Sequence, residues 1–225
     1  MKKLAIVGYG RMGRLIEQLA PEYGFAIHAR IDLGDDFELA RGADAAVEFT
    51  IPDAVAANVE KLAAIGVPMA VGTTGWAGQM DRVRASIEKH NTGLVWSPNF
   101  SIGVNVFSRL VREAAKLLAD EPQYGAWAWE IHHYTKKDAP SGTLIKLVEE
   151  MKKGGYARNI DTSSNRAGAH PGTHEIGFDS AADTITLRHA ARSREGFARG
   201  ALKAAQWVAG KKGVHEFSEI LFERQ

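Results

Sequence analysis

The residues best suited to proton chemistry lie in one stretch, EIHHYTKKDAPSGT, from Glu130 to Thr143. His132 and His133 are adjacent, Lys136 and Lys137 follow, and Asp138 precedes a Pro-Ser-Gly-Thr turn. Histidine changes charge near neutral pH, so it can donate or accept a proton during a reaction. A lysine offers a cation to a carboxylate or a proton to a leaving group. Just upstream, Trp127, Trp129 and Ile131 alternate with Ala128 and Glu130, the pattern of a strand whose successive side chains point to opposite faces. His132 and His133 therefore meet at one site only if the strand ends there. One of them can act in the chemistry while the other binds or braces. Ser141 is of the type that caps a helix N-terminus, and Gly142 and Thr143 would then present free backbone N–H groups to an anion. Adjacent histidines chelate poorly and no second cluster has clear ligand spacing, so no metal is expected. On these residues alone, a solvated polar loop with an ordinary turn and cap remains the competing reading.

A second motif lies near the start of the chain. Gly8, Gly10 and Gly13 form G-x-G-x-x-G between an apolar run, Leu4–Gly8, and a segment with Met12, Leu15, Ile16 and Leu19 at helical spacing. The first glycine permits a tight turn, the second lets backbone approach a pyrophosphate, and the third lets helix and strand pack closely. The helix N-terminus adds N–H groups and partial positive charge. Asp32 stands 19 residues past Gly13, at the end of the next strand-like run, FAIHARI. A carboxylate there can accept hydrogen bonds from an adenosine ribose and repels a 2′-phosphate, which favours NADH over NADPH. Leu33 follows it, but Arg11 and Arg30 are close enough in sequence to reach such a phosphate, so either cofactor form stays open. The loops Gly72–Thr74 and Ser97–Phe100 each follow a strand, where ligands bind in open parallel sheets. Ordinary turn chemistry accounts for these two loops equally well.

Both motifs need elements to hold them. The apolar run Leu4–Gly8 and the strand-like runs Phe25–Ile31, Ala45–Ile51, Val67–Val71 and Gly93–Trp96 alternate with helical patterns at 54–65 and 79–90. That alternation predicts βαβ units and a doubly wound parallel sheet. After Asn99 the pattern changes to a long amphipathic helix (104–118), a strand (AWAWEIHH), a helix (144–151) and two strands with no helix between them. A second, α+β domain with a mixed open sheet is expected. The run FARGALKAAQWVAG can return to the first domain. The expected division is residues 1–102 plus 196–225 as a dinucleotide-binding domain and 103–195 as a second domain. Residues 154–172 are rich in turn formers and read as one long loop.

Composition fits this picture. The chain has 225 residues and a formal net charge of +1, which gives no reason to expect a nucleic acid or a membrane surface as partner. Cysteine is absent, which removes disulfides, cysteine nucleophiles and thiolate metal sites. No run approaches a membrane span, and MKKLAIVGYG is broken by glycines too early for a signal peptide. A cytoplasmic location is expected.

Three stretches, GYGRMG, GTTG with NFSIGVNV, and HHYTKKDAPSGT, resemble the motifs of the 4-hydroxy-tetrahydrodipicolinate (dihydrodipicolinate) reductase family. The resemblance extends to PGTHEIGFD and ARSREGFARGALKAAQWV and so spans essentially the whole chain. It implies a Rossmann-type fold and NAD(P)H-dependent reduction of a small cyclic dicarboxylate in lysine biosynthesis through diaminopimelate. It implies His132 as proton donor or acceptor and Lys136 as proton donor. His133, Gly142 and Thr143 take the substrate-binding positions. The cofactor-binding positions are Gly8, Tyr9, Gly10, Arg11, Met12, Gly13, Asp32, Gly72, Thr73, Thr74, Ser97, Pro98, Asn99 and Phe100. It also implies a homotetramer joined through the second domain's sheets. There are two departures. The glycine loop is one residue shorter than a G-x-x-G-x-x-G form, and Tyr134 and Thr135 stand where a more basic pair is common. Two other readings compete: a dehydrogenase acting on diaminopimelate itself, and a regulator that binds NADH without turnover. The second leaves His132 and Lys136 without a task.

Overall fold

The computed structural model describes residues 1–223. The chain divides into two compact units, Met1–Ile102 with Glu195–Gln225, and Gly103–Arg194.

In the first unit, β1 (Lys2–Val7), β2 (Phe25–Ile31), β3 (Ala45–Glu48), β4 (Met69–Val71) and β5 (Gly93–Trp96) alternate with α1 (Arg11–Leu19), α2 (Val55–Ala64) and α3 (Met80–Lys89). The chain leaves for the second unit and returns as α6 (Glu195–Val208), β10 (Gly213–Glu216) and α7 (Phe217–Ile220). The six strands are ordered β10-β5-β4-β3-β1-β2 and every pair is parallel. Parallel strands buried on both faces read as continuous apolar runs. LAIV of β1 is such a run, and all four side chains are buried. On one face Ile16 and Leu19 of α1 pack with Ala201, Leu202 and Val208 of α6. On the other, Val55, Val59 and Leu62 of α2 pack with Val83 and Ile87 of α3. The strand expected over Ala45–Ile51 stops at Glu48, because Phe49 to Ile51 already form the exit loop.

The second unit holds α4 (Ile102–Leu117), β6 (Gly125–His132), α5 (Gly142–Lys153), β7 (Ile160–Arg166), β8 (Thr173–Asp179) and β9 (Thr184–Ala190). Its sheet runs β7-β6-β8-β9, parallel between β7 and β6 and antiparallel elsewhere, so it is mixed. The inner face packs Ala128, Ile176 and Phe178 against Val111 of α4 and Leu144, Leu147 and Met151 of α5. The long loop expected over 154–172 is not one loop, since β7 occupies seven of its residues. The strand IDTSSNR has no apolar alternation, and its hydrogen bonds to β6 hold it.

Candidate active site

The alternation in β6 sends Ala128, Glu130 and His132 inward, where all three are buried, and leaves Trp127, Trp129 and Ile131 half-buried on the other face. His132 is the last residue of the strand, so His133 is free of the alternation and starts the loop. Strand register then decides what surrounds the inward pair. Glu130 lies opposite His174 on β8 and beside Ser164 on β7, and His132 lies beside Arg166. The apolar core of this unit thus gives way, at the His132 end of β6, to a buried polar cluster.

Glu130 is the centre of that cluster and has no solvent exposure. Its carboxylate accepts the Ser141 N–H at 2.9 Å, the Ser164 hydroxyl at 2.9 Å and Arg166 Nη2 at 3.0 Å, and it also accepts the Ser141 hydroxyl. Burial pushes Glu130 up, but the hydrogen bonds from Ser141, Arg166 and Ser164 outweigh it and hold the carboxyl below its ordinary value. His132 Nδ1 is 3.5 Å and His174 Nε2 is 3.4 Å from Glu130 Oε2. The two rings meet edge to face with centroids 5.1 Å apart. Burial lowers both histidines, His174 to about 4. Glu130, His132 and His174 offer three ligand atoms within 4.8 Å of one another, a donor set that sequence spacing did not show. The Arg166 guanidinium and the Ser141 amide already hold this carboxylate, and a metal ion would have to share it with a cation.

Gly172 closes the outer side of His132. Its φ is +133°, and a Cβ there would come within 3.0 Å of His132 Cδ2 and Nε2. Only glycine both adopts that backbone and leaves room for the ring.

In the following loop, Thr135 Oγ1 lies 2.6 Å from His133 Nδ1. Lys136 Nζ donates to both oxygens of Asp138, at 2.8 and 3.0 Å. Ser141 is the N-cap of α5, its hydroxyl accepting the Leu144 N–H at 3.2 Å. Gly142 and Thr143 are therefore the first two helical residues, where N–H groups have no partner within the helix. Lys137 is exposed, and nothing in the structure explains the exposed Tyr134.

In the first unit, Gly8 has φ +90°, and a Cβ there would run into the Phe49 carbonyl; one on Gly13 would meet the Gly8 carbonyl. Space around Gly10 is open, with nothing within 4 Å of an added Cβ. Gly10 is the N-cap of α1 and makes no side-chain cap, so the first-turn N–H groups of Arg11, Met12 and Gly13 face that space without one. A loop closed by two tight glycine contacts and open at the middle one fits a pyrophosphate. Met12 instead turns to the core, half-buried. Tyr9 donates its hydroxyl to Glu17, which also takes the Arg30 guanidinium, and Arg14 and Arg30 both lie over the Tyr9 ring, at 5.8 and 5.7 Å. Asp32 follows β2, and its carboxylate accepts the Leu33 N–H at 2.9 Å.

Gly72 to Thr74 leave the end of β4, where Thr73 Oγ1 accepts the Thr50 N–H at 2.7 Å and Thr74 is exposed. At the end of β5, Ser97 Oγ bonds the Asn99 carbonyl at 2.8 Å, and Pro98 is exposed. The Phe100 side chain is 2% exposed and stacks on Phe217, so only its backbone can meet a ligand. One buried group went unseen in the sequence. Glu48, inside the apolar run of β3, accepts from Thr50 Oγ1 and from Asn58 Nδ2 at 3.1 Å. Burial pushes its carboxyl up.

Comparison with known proteins agrees across the whole chain. The family models described as dihydrodipicolinate reductase, N-terminus and C-terminus, match residues 2–100 and 103–221. A 4-hydroxy-tetrahydrodipicolinate reductase of Christiangramia forsetii is 32% identical, covering 97% of each chain. One of Methanoregula boonei is 34% identical, covering 98% of each. Among solved structures, dipicolinate-bound dihydrodipicolinate reductase from Paenisporosarcina sp. TG-14 superposes with TM-score 0.82 at 20% identity, over 98% of this chain and 99% of that one. The polar cluster on β6 and the glycine loop thus sit in a chain that belongs to the dihydrodipicolinate reductase family.

Proposed function

We propose that this chain reduces 4-hydroxy-tetrahydrodipicolinate to tetrahydrodipicolinate with loss of water, using a nicotinamide dinucleotide, in lysine biosynthesis through diaminopimelate. The observation that carries the residue assignments is the end of β6. There a buried histidine, a lysine and a helix N-terminus stand within a dozen residues of one another. The bound dinucleotide supplies the hydride; the protein must hold the dicarboxylate and supply the proton with which the hydroxyl leaves as water.

His133 and the N–H groups of Gly142 and Thr143 bind substrate carboxylate, as a helix N-terminus suits an anion. Lys136 and His132 manage protons, with Lys136 as the donor. Thr135, bonded to His133 Nδ1, fixes that ring, which leaves His133 Nε2 for the substrate. Residues 1–102 with 195–225 bind the dinucleotide, and 103–194 bind substrate. The amides of Arg11 to Gly13, beside Gly10 and next to Gly8 and Tyr9, would hold the pyrophosphate. Asp32 takes the ribose, and Gly72, Thr73, Thr74, Ser97, Pro98, Asn99 and the Phe100 backbone line the rest. NADH is the favoured form, because Glu17 engages Arg30 and Asp32 opposes a 2′-phosphate.

The protein assembles as a homotetramer through the outer face of the β7-β6-β8-β9 sheet, where Trp127 and Trp129 are half-buried and Arg188 lies over Trp129. It works in the cytoplasm; among the described residues no helix is long and apolar enough to cross a membrane. The diaminopimelate dehydrogenase and NADH-sensor readings have no observation in their favour.

The decisive assay follows loss of reduced-nicotinamide absorbance with NADH and with NADPH, on substrate freshly made by the preceding synthase. Substrate-dependent oxidation is expected with both forms. His132→Ala and Lys136→Ala should each cut kcat by roughly 100-fold or more while NADH binding survives. Near-normal turnover in both variants would overturn the assigned roles.

A further inference from the structure

Glu130 is the most heavily bonded side chain at the site, yet neither the proton chemistry nor carboxylate binding uses it. It joins four segments through one carboxylate: β6 itself, Ser164 and Arg166 of β7, His174 of β8 and the Ser141 cap of α5. Arg166 then reaches on to the Asp138 carbonyl and so ties the lysine loop to the same group. His132 Nδ1 is fully buried with no hydrogen-bond partner, and its nearest acceptor is Glu130 Oε2 at 3.5 Å. Catalytic hydrogen bonds are often this long in ligand-free proteins and tighten when substrate binds.

We propose that Glu130 is a positioning residue: its carboxylate holds His132 in the tautomer with the proton on Nδ1, leaving Nε2 to exchange protons with substrate, and the same carboxylate anchors the helix terminus that receives the substrate's carboxylate. This rests on the function proposed above. The geometry favours it over the other occupant of these atoms, a metal ion. Arg166 and the Ser141 N–H fill the carboxylate as they would for an anion that must stay bare of metal. Gly172 supports the same orientation, because the ring edge it leaves room for is Cδ2–Nε2. In neutral imidazole only one nitrogen carries the proton, and a carboxylate beside Nδ1 selects which.

The groups facing His132 are Glu130 on its own strand, Arg166 on β7, His174 on β8, and Lys136 and Asp138 in the loop; His189 of β9 faces His174 in turn. Glu130 raises the proton affinity of His132, whereas Lys136 and Arg166 lower it. Glu130→Gln removes that charge and keeps the size. The histidine limb of the kcat/KM profile should then move to lower pH.

Two measurements on the full chain test this. First, imidazole 15N NMR of the unsubstituted protein, with the His132 signal identified by its loss in His132→Gln, should show Nδ1 protonated and Nε2 bare above the histidine's titration. An Nε2-protonated ring would overturn the proposal, and so would a loss of the Nδ1–H signal on adding Zn²⁺ at equimolar concentration. Second, Glu130→Gln should lose roughly 100-fold in kcat, with a smaller change in KM and the shifted limb, while NADH affinity stays within about twofold. Normal kcat with an unmoved limb would overturn it. If Glu130→Gln does not fold, the NMR result on the unsubstituted protein decides. Absence of substrate-dependent NADH oxidation in that protein would instead defeat the functional reading, and the tautomer result stands apart from it.

Discussion

Lys136 Nζ lies 2.8 and 3.0 Å from the two carboxylate oxygens of Asp138, two residues along the same loop. Lys136, and with it the Gly142 N–H, holds the Asp138 carboxyl below its ordinary value. Asp138 thus engages both a cation and an amide that the proposed reaction needs for the substrate. Under the proposed function it is an internal carboxylate that the incoming dicarboxylate would have to displace. Exposed pairs of this kind are worth up to about 1 kcal/mol. Asp138→Asn should therefore lower the substrate KM by roughly fivefold, with less change in kcat. Steady-state kinetics with saturating NADH measures both. A higher KM with a matching fall in kcat would mean that Asp138 aims the lysine instead.

Under the cofactor assignment proposed above, the choice between NADH and NADPH turns on Glu17. It holds Arg30, which stands one residue before the end of β2, and takes the Tyr9 hydroxyl with its other oxygen. A freed Arg30 could meet a 2′-phosphate. Glu17→Ala should raise the NADPH-to-NADH ratio of kcat/KM by roughly five- to tenfold at low salt, and less as salt screens the charge. An unchanged ratio would place Arg30 out of the cofactor's reach.

Glu48 sets a pH dependence of stability. Burial raises its carboxyl in the folded state, so the folded protein binds more protons than the unfolded chain between the ordinary glutamate range and the raised value. Its contribution is fully present below the ordinary range and is lost as pH rises through the raised value. Glu48→Gln keeps the hydrogen-bonding shape without the charge. Relative to the unsubstituted protein, the variant should be weaker near pH 4 and should gain ground as pH rises toward 8, read from urea midpoints. A constant difference between the two pH values would mean that folding leaves the proton affinity of Glu48 unchanged.

Gly172 predicts a loss confined to chemistry. With φ at +133° and His132 3.0 Å from a new Cβ, Gly172→Ala must shift either the backbone or the ring. kcat should fall by about tenfold or more while NADH affinity is unchanged. Equal losses in both would point to unfolding rather than to a displaced histidine.

Much of this was legible in the sequence, for reasons that vary by element. Continuous apolar runs disclosed β1, β4 and β5, because parallel strands covered on both faces leave almost no polar position to confuse the pattern, whereas β2, at the sheet edge, was legible from its alternation of buried and exposed residues. The alternation of Trp127, Trp129 and Ile131 put Glu130 on one face with Ala128, but which face is inward is shown only by the structure, where the tryptophans lie on the outer one. What hid Ser164, Arg166 and His174 was register, which single-strand periodicity does not contain. β7 escaped because its inward residues serve a polar cluster and its outward ones face no core, so neither face is apolar. β10 escaped because four residues at a sheet edge are too few to show a period. The Thr135 hydroxyl on His133 accounts for one of the two departures from the more basic loop; Tyr134 stays without an explanation.

The return of the chain through α6 and β10 has a consequence for how the molecule comes into being. Every strand of the β7-β6-β8-β9 sheet comes from one continuous stretch, so that unit has all its partners once residue 194 has left the ribosome. The dinucleotide unit does not. Ala201, Leu202, Ala205, Val208 and Phe217 complete one of its two apolar layers, and β10 supplies its last strand. Its first hundred residues must wait, with one face of a parallel sheet covered only in part by α1, until α6 and β10 are made. The half made first is therefore the half finished last, and the nascent chain is most exposed to aggregation and to chaperones through the sheet face that α6 later covers.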